Sequence, residues 1–385
     1  MRRPIYMDHH ATTPLDPDVL AIMTPYLLGE KSRRAEEEAV EIARGQVARL
    51  IGATPEEIRF TGGATESDNI AIKGVARALR DRGRHIVTCN IEHKAVMDTC
   101  HRLEEEGFSV TYLPVDAYGM LDPKAVEDTL TPETILITLI HGHNEIGTIN
   151  PIREIGQIAK KHGVLFHSDA VQTVGKIPVH VDDLGVDLLS VSAHKIYGPK
   201  GIGALYVRRK SPEIHLAPLT VGEPLSHASG IVGLGTACVR CATGMEEEEK
   251  RLTRLRNRLY QGLLDRVDDI FLNGHPTQRL PANLNVSFAF IEGGSLLLSL
   301  RDIAVSSGSA CTSRTTVDPS YVLLALGRDE TLAQSALRFG LGRANTEEEI
   351  DYAVEIVSRQ AKKLRSLSTH YRLRPSHSSE NPNRG

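Results

Sequence analysis

Two charged residues, Lys195 and Asp169, each lie beside a short apolar run and carry side chains that suit an aldehyde cofactor. Lys195 lies in the segment 190–201, which reads S-V-S-A-H-K-I-Y-G-P-K-G, and Asp169 ends a run that begins at Val164. A lysine at a strand end forms a Schiff base with an aldehyde, and an aspartate at a neighbouring strand end keeps a pyridine nitrogen protonated. The pair therefore predicts the chemistry of pyridoxal 5'-phosphate (PLP), whose pyridinium ring accepts electrons.

Two other interpretations of this segment stay open. A single lysine after a strand is more often a solvent-exposed residue than a catalytic one. Ser192 and Lys195 also match S-x-x-K, the nucleophile motif of penicillin-binding enzymes. That motif requires S-D-N and K-T-G segments downstream, and neither follows Lys195 in this sequence.

The composition is that of a globular protein and does not indicate a nucleic-acid or membrane partner. The 385 residues are 41% hydrophobic and 24% charged with a net charge of −4, which predicts a large core and two or three domains. No apolar run approaches the roughly 18 residues of a membrane-spanning helix, and the N-terminus lacks a signal-peptide apolar region. The sequence therefore predicts a cytoplasmic protein, or an organelle-matrix protein whose transit peptide has been removed.

The five cysteines are an odd number in a chain with no predicted signal peptide, which favours free thiols over disulfides. Cys238 and Cys241 form a lone C-x-x-C without a second ligand pair, so no resident metal is expected. Cys311 differs because it lies among small and polar residues in the segment 306–313, S-S-G-S-A-C-T-S. Such a segment packs poorly, which suits a thiol nucleophile that must be delivered to its target.

Short β-branched runs alternate with helical patterns in the middle of the chain, which is typical of a mainly parallel sheet built from βαβ units. The predicted strands are 57–61, 85–89, 109–113, 135–139, 164–167, 188–191 and 204–207. The clearest helices between them are 66–82, 95–106 and 152–161.

A second module follows a charged helix that we predict from about Met245 to Val267, after a separate helical stretch at 231–245. Its predicted strands are 284–288 and 303–306, and its predicted helices are 320–326 and 346–364. We therefore expect a large domain over residues 16–245 and a smaller α+β domain formed by 1–15 and 246–369. Residues 370–385 are rich in Ser, Pro, Asn and Arg, which predicts a disordered tail.

Several polar residues follow predicted strands, where ligands of open α/β sheets bind. The loop 61–67, T-G-G-A-T-E-S, opens a helix and suits a phosphate, although an ordinary strand–helix turn fits it equally well. His93 suits ring stacking or proton transfer, and Asn144 is a candidate donor. Arg338 suits a substrate carboxylate, but an ion-paired structural arginine also fits its apolar surroundings.

Taken in order, these segments resemble cysteine desulfurases of the iron–sulfur cluster assembly type. The resemblance extends from Pro4 to about Ser368, and its most specific blocks are H-K-I-Y-G-P-K-G at 194–201 and S-G-S-A-C-T-S at 307–313. The other matching segments are D-H-H-A-T-T-P at 8–14, G-A-T-E-S-D-N at 63–69, E-H-K at 92–94, H-N-E-I-G at 143–147 and D-A-V-Q at 169–172. These are PLP enzymes of fold type I in the class-V aminotransferase family. The resemblance thus implies an α/β fold, with a mainly parallel seven-stranded sheet in the large domain and a smaller α+β C-terminal domain.

The resemblance also implies a role for each candidate residue. Lys195 would be the Schiff-base lysine, Asp169 would bind the ring nitrogen, and His93 would lie over the ring. The residues implied near the ring hydroxyl are Asn144 and Gln172, and those implied around the phosphate are Ala64, Thr65, Ser192 and His194. Arg338, with Asn144, would bind the substrate carboxylate, and Cys311 would receive the sulfur.

An enzyme of this type converts L-cysteine to L-alanine and holds the sulfur as a persulfide on Cys311. The resemblance implies a homodimer that delivers sulfur to an acceptor or iron–sulfur scaffold protein, with no nucleic-acid or membrane partner. It implies no intrinsic metal, apart from a transient contact of a cluster with the Cys311 persulfide.

Three segments depart from the pattern of these desulfurases. The loop at 29–40 is shorter than the family's G-N-x-x-S-x-H-x-x-G segment, and the tail diverges after Ser368. Residues 220–230 replace the family's G-G-G-x-E-R-G-x-R-S-G-T, whose threonine reaches the PLP phosphate of the other subunit. Two alternatives therefore stay open: a regulatory paralogue that binds PLP weakly or not at all, and another PLP lyase such as a selenocysteine lyase.

Overall fold

The computed structural model describes residues 4–210, 213–219, 227–291, 293–307, 319–368 and 371. Its strands are β1 Ile5–Tyr6, β2 Ile58–Thr61, β3 His85–Cys89, β4 Ser109–Leu113, β5 Thr134–Ile140, β6 Leu165–Asp169, β7 Leu188–Ser192, β8 Gly203–Val207, β9 Ile270–Asn273, β10 Asn283–Phe288, β11 Ile303–Ala304 and β12 Ala336–Gly340. The large sheet has the order β2-β8-β7-β6-β5-β3-β4, and only β8 runs antiparallel to its neighbours. The predicted mainly parallel, seven-stranded α/β sheet is confirmed.

The helices of the described residues connect and flank these strands. They are α1 Pro17–Leu27, α2 Arg33–Ile51, α3 Ala64–Ala78, α4 Lys94–Glu105, α5 Pro123–Thr129, α6 Ile152–His162, α7 Val181–Leu184, α8 Ala228–Leu264, α9 Gly293–Ser299, α10 Tyr321–Ala325, α11 Glu330–Gln334 and α12 Glu347–Leu367. Helix α6 illustrates why they form: Ile152, Ile155 and Ala159 share one face and are buried. The helix ends at Gly163, whose φ of 64° suits a left-handed cap.

Helix α8 is one continuous helix of 37 residues, whereas the sequence predicted a helix over 231–245 and a second, charged helix after it. Its first half packs against α1 and α2, where Gly233 approaches Met23 and Gly235 approaches Ala43, and its second half packs against α12. The four glutamates from Glu246 lie on this helix without interrupting it. Glu246 and Glu247 are exposed, whereas Glu248 accepts a hydrogen bond from Arg343 at 2.8 Å. Leu252 and Leu259 continue its buried face.

A second apolar core surrounds the antiparallel sheet β12-β10-β9 and helix α12. Leu259 of α8, Val286 of β10 and Val357 of α12 are fully buried within it. Met7 packs into the same core from the other end of the chain, because β1 pairs with β11 in parallel. The N-terminal residues therefore pack with the C-terminal part of the protein before the chain enters the large sheet.

The polar loops predicted to bind a ligand all follow the carboxyl ends of strands in the large sheet. The Gly62–Gly63 turn follows β2, and its position depends on Gly203 of β8. A Cβ atom at Gly203 would lie 2.6 Å from the Val191 oxygen and 2.9 Å from the Cα atom of Gly63. Only a glycine lets the turn before α3 approach β8 so closely.

Replacing Gly203 with alanine should displace the turn before α3 and lower stability. Overpacking of this kind costs about 1–3 kcal/mol, because neither backbone neighbour can move without disturbing the sheet. Urea unfolding of Gly203→Ala would measure the loss. Gly45→Ala is the matched control, since an added Cβ in α2 meets nothing within 4 Å and should be neutral or slightly stabilising. Equal stability of the two variants would contradict the packing argument.

A buried carboxyl group, that of Glu92, links β3 to β5. One of its oxygens accepts hydrogen bonds from the Ile140 backbone N–H at 2.7 Å and from the Cys89 thiol at 3.0 Å. The other oxygen is buried without a described partner. Burial raises the pKa of Glu92 to about 8, although the two hydrogen bonds oppose this shift.

Glu92→Gln should remove a pH dependence of the free energy of unfolding. Between the usual carboxyl pKa and about 8, the folded protein keeps a proton on Glu92 that the unfolded chain releases. The stability from this proton is complete below the unfolded-state pKa and is lost as the pH rises through 8. Relative to Glu92→Gln, the wild type should lose up to about 1.4 kcal/mol per pH unit in this range. Chemical unfolding between pH 5.5 and 8 tests this, and parallel curves would contradict it.

Candidate active site

Lys195 ends a short 3-10 turn, Ala193–Lys195, that directly follows β7. Its Nζ donates hydrogen bonds to the backbone oxygen of His10 at 2.6 Å and to that of Ala11 at 2.8 Å. The side chain is half-buried rather than fully exposed. Lys195 is therefore held against the N-terminal segment and is not a freely solvated surface lysine.

Asp169 is the last residue of β6 and is 6% exposed. Among the described residues, the one hydrogen bond to its carboxylate comes from the backbone N–H of Val171 at 3.0 Å. Burial raises the pKa of Asp169, whereas the nearby charges of His93 and Lys195 lower it. A buried carboxylate with so few donors is well suited to a bound cation, such as a protonated ring nitrogen.

His93 caps the N-terminus of α4, and its Nδ1 accepts the backbone N–H of Ala95 at 3.2 Å. This contact assigns the ring proton of neutral His93 to Nε2. Burial lowers the pKa of His93, Asp169 raises it and Lys195 lowers it further. The structure thus brings His93, Asp169 and Lys195 within electrostatic reach of one another.

The turn after β2 places Ala64 and Thr65 in the first turn of α3, a helix of 15 residues. The exposed N–H groups of a helix start attract anions. Ser192 pairs with Gly203 across the sheet, so it lies near the same turn.

His194 follows Ser192 and contacts the Thr12 hydroxyl through Nδ1 at 3.0 Å. Burial, together with the charges of Lys195, Lys200 and Lys176, lowers the pKa of His194 to about 4. The ring is therefore neutral at physiological pH. The three lysines make the surroundings of the ring electropositive, which favours a phosphate.

Gln172 is engaged by two residues that sequence analysis did not assign to the site. Its Oε1 accepts from His10 Nδ1 at 3.0 Å and from Lys176 Nζ at 2.9 Å, and its Nε2 donates to the His10 oxygen at 3.1 Å. One amide hydrogen of Gln172 has no acceptor among the described residues and can donate to a ligand oxygen.

Burial lowers the pKa of Lys176 to about 7, and the charge of Lys195 contributes to this shift.

Arg338 lies on β12 and is 2% exposed, as its apolar neighbours in the sequence suggest. Its Nη1 donates to the backbone oxygen of Asn144 at 3.1 Å, and its Nη2 donates to Asp8 at 2.9 Å. The ion pair fits the structural interpretation of this arginine, while its Nε is buried with no described acceptor. Buried donors are rarely left unpaired, so the guanidinium retains capacity for a ligand.

Two sequence features of the predicted site lie outside the described residues. Cys311 is one of them, and most of the segment 220–230, including Thr220 and Ser226, is the other. Of the remaining cysteines, Cys89, Cys100, Cys238 and Cys241 are buried free thiols.

The segment Asp8–Thr13 contributes contacts that sequence analysis missed. Thr13 donates its hydroxyl to the His194 oxygen at 3.0 Å and accepts the Tyr197 N–H at 2.7 Å. His10, Ala11 and Thr12 contact site residues as described above. The D-H-H-A-T-T-P motif marked this segment as similar to the desulfurases. The motif itself does not indicate which distant side chains the segment contacts.

The donor set fits PLP. A carboxylate suited to a ring cation, a lysine beside it, a histidine ring and an electropositive helix start lie at one edge of the sheet. Within the described ranges, no group of three or more His, Cys, Asp or Glu side chains is arranged to hold a metal ion. Within the same ranges, no helix is both long and apolar enough to cross a membrane.

Comparison with known proteins gives matches along nearly the whole chain. The class-V aminotransferase family model matches residues 5–353. The chain is 50% identical over 390 residues to the cysteine desulfurase IscS of Anaeromyxobacter dehalogenans (strain 2CP-C), which covers 97% of this chain and 96% of that protein. It is also 50% identical over 383 residues to the cysteine desulfurase of Homo sapiens, covering 95% of this chain and 83% of that protein.

Solved structures agree with this assignment. A NifS-like protein superposes with a TM-score of 0.85 at 35% identity, over 94% of this chain and 100% of that chain. SspA in complex with cysteine superposes with a TM-score of 0.77 at 35% identity, over 88% of this chain and 98% of that chain. The chain belongs to the class-V aminotransferase family and, within it, to the PLP-dependent cysteine desulfurases.

Proposed function

We propose that this protein converts L-cysteine to L-alanine and captures the sulfur as a persulfide on Cys311. The observation that carries the proposal is the placement of three residues at the carboxyl edge of the sheet. Asp169 ends β6, Lys195 follows the neighbouring β7, and His93 follows β3. Half of the chain's residues are identical to those of cysteine desulfurases, which supports the same conclusion.

Lys195, Asp169 and His93 handle the protons of the reaction. When bound, PLP supplies an electron sink that stabilises the charge developing at the substrate Cα atom. Asp169 would hold the ring nitrogen protonated, and the amine of Lys195 would remove the Cα proton. His93 would stack on the ring and transfer a proton.

The remaining polar residues bind the cofactor and substrate. Ala64, Thr65, Ser192 and His194 hold the phosphate. Asn144 and the spare amide hydrogen of Gln172 serve the ring hydroxyl. Arg338, together with Asn144, binds the substrate carboxylate through its remaining N–H donors.

Cys311 performs the sulfur transfer. Its thiolate attacks the substrate sulfur, so that an S–S bond forms as the Cβ–S bond breaks. The electrons of the broken bond stay with the carbon fragment. This fragment takes up one proton at Cβ and regains one at Cα before it is released as alanine. Cys311 is left as a persulfide that an acceptor thiol or an iron–sulfur scaffold protein removes.

We extend the proposal to the organisation of the protein. The large domain comprises residues 16–245, the small domain comprises 1–15 and 246–369, and the tail is 370–385. The enzyme acts as a homodimer in the cytoplasm, or in an organelle matrix where a leader has been removed. Fusion to a fluorescent protein and sedimentation analysis test these two points.

Lys195→Ala and Cys311→Ser should separate cofactor binding from sulfur transfer. Lys195→Ala should lack the visible absorption of the holoenzyme and release no alanine from L-cysteine. Cys311→Ser should keep the absorption, because Cys311 does not bind the cofactor, and should lose alanine release by orders of magnitude. Alanine release with a thiol acceptor and absorption spectra provide the measurements.

Three outcomes would contradict the proposal in different ways. A wild-type protein that stays colourless after incubation with PLP would exclude PLP catalysis. A coloured protein that releases no alanine would favour a regulatory paralogue. Alanine production retained by Cys311→Ser would favour a lyase without a persulfide.

Cofactor retention should be weaker than in relatives that carry the complete G-G-G-x-E-R-G-x-R-S-G-T segment. Loss of one charge-assisted hydrogen bond to the phosphate lowers affinity by about ten- to a hundredfold. The protein should be coloured yet lose PLP faster on dialysis than such a relative dialysed beside it. Equal retention would indicate that a residue of the segment 220–230 supplies a replacement ligand.

A further inference from the structure

We propose that Asp8 is a positioning residue for the substrate carboxylate: it binds Arg338 and holds the guanidinium in the orientation that receives the carboxylate. This inference rests on the proposed role of Arg338 and concerns a residue to which neither the motif analysis nor the family resemblance gave a function. Asp8 lies 330 positions from Arg338 in the sequence, and only the fold brings them together.

The contacts of the Asp8 carboxylate are specific. Its Oδ1 accepts a hydrogen bond from Arg338 Nη2 at 2.9 Å and another from the Ser306 hydroxyl at 2.9 Å. The Arg338 side chain is 2% exposed, whereas that of Asp8 is 20% exposed. A guanidinium buried this deeply is strongly destabilised if its partner is removed.

The backbone fixes Asp8 relative to the strand that carries Arg338. His9 N–H donates to the Gly340 oxygen at 3.1 Å, and Gly340 N–H donates to the Met7 oxygen at 2.7 Å. Arg338 N–H in turn donates to the Ser306 oxygen at 2.8 Å. Both acceptor and donor are thus anchored on paired backbone, which preorganises their contact before any ligand arrives.

The donor inventory of Arg338 leaves room for a ligand. A guanidinium has five N–H donors, of which one on Nη1 serves Asn144 and one on Nη2 serves Asp8. The Nε donor is buried and has no acceptor among the described residues. A carboxylate binds best to two parallel N–H groups, so the orientation of the guanidinium plane decides whether they are presented.

The other charged residues near Arg338 do not supply a negative charge in contact with its guanidinium. Glu145 also interacts electrostatically with Arg338, and burial raises the pKa of Glu145 despite the charge of Arg338. One Glu145 oxygen is buried without a described partner. Lys176 and His10 also interact electrostatically with Arg338, but neither supplies a negative charge. Among the described residues, Asp8 is therefore the acid that contacts Arg338.

Binding of two amines to the wild-type holoenzyme tests the proposal without relying on turnover. L-alanine carries a carboxylate, and ethylamine is the same molecule without it. The change in cofactor absorption on adding each amine gives its dissociation constant. Asp8→Asn keeps the size of the side chain but removes its charge, and should weaken L-alanine binding by about ten- to a hundredfold. Ethylamine binding should change by less than about twofold, and KM for L-cysteine should rise more than kcat falls.

Two variants complete the series. Ser306→Ala removes the second contact of Asp8 and should give a smaller loss with the same selectivity for L-alanine. If Asp8→Asn fails to fold, the binding of the two amines is compared between Ser306→Ala and the wild type instead. Asp351→Asn is the matched control, since it removes a carboxylate charge from the exposed pair with Arg258 and should leave both dissociation constants unchanged.

The outcomes that overturn the proposal are distinct. Unchanged L-alanine binding in Asp8→Asn would show that Arg338 needs no positioning, and tighter binding would show that Asp8 competes with the ligand. An equal loss for L-alanine and ethylamine would indicate a general structural role. If the wild type itself binds the two amines equally, the proposed role of Arg338 fails and the role of Asp8 fails with it.

Discussion

Two main-chain carbonyls, those of His10 and Ala11, hold the amine of Lys195, and the rest of the site depends on this contact. Carbonyl dipoles position an ammonium group without the cost of separating a buried ion pair when the lysine moves. They can do so only if the N-terminal segment follows one path across the carboxyl edge of the sheet. The pairing of β1 with β11 and the burial of Met7 fix the start of that path.

The same segment links two groups of residues that bind different parts of a ligand. Its Asp8 contacts Arg338 on β12, and its Thr12 contacts His194 after β7. The distance between the carboxylate-binding and phosphate-binding groups is therefore determined by the five consecutive residues 8–12. A substitution that shifts this short segment would disturb both ends of the site together, although few of its side chains need touch a ligand.

The sequence predicted the sheet well because its strands have a strong local signal. The strands β3 and β4 agree with their predicted bounds, since each is a β-branched run bounded by polar residues. The continuity of α8 was missed because the charged run at Glu246 was interpreted as the start of a new helix, although a charged run does not by itself end a helix. The strand around Arg338 was missed because a short apolar run fits either a strand or a helix. The types of most site residues were predicted, whereas the contacts of Asp8, His10 and Lys176 join distant positions and have no local pattern.

Helix α8 has a mechanical consequence. At 37 residues it extends for about 55 Å, and its two halves are buried in different cores. Bending between the cores would break hydrogen bonds inside a continuous helix, so hinge rotation of one part against the other is unfavourable. The two cores should therefore melt in a single cooperative transition. A rigid link of this kind favours substrate entry through movements of side chains and loops over the closure of hinged domains.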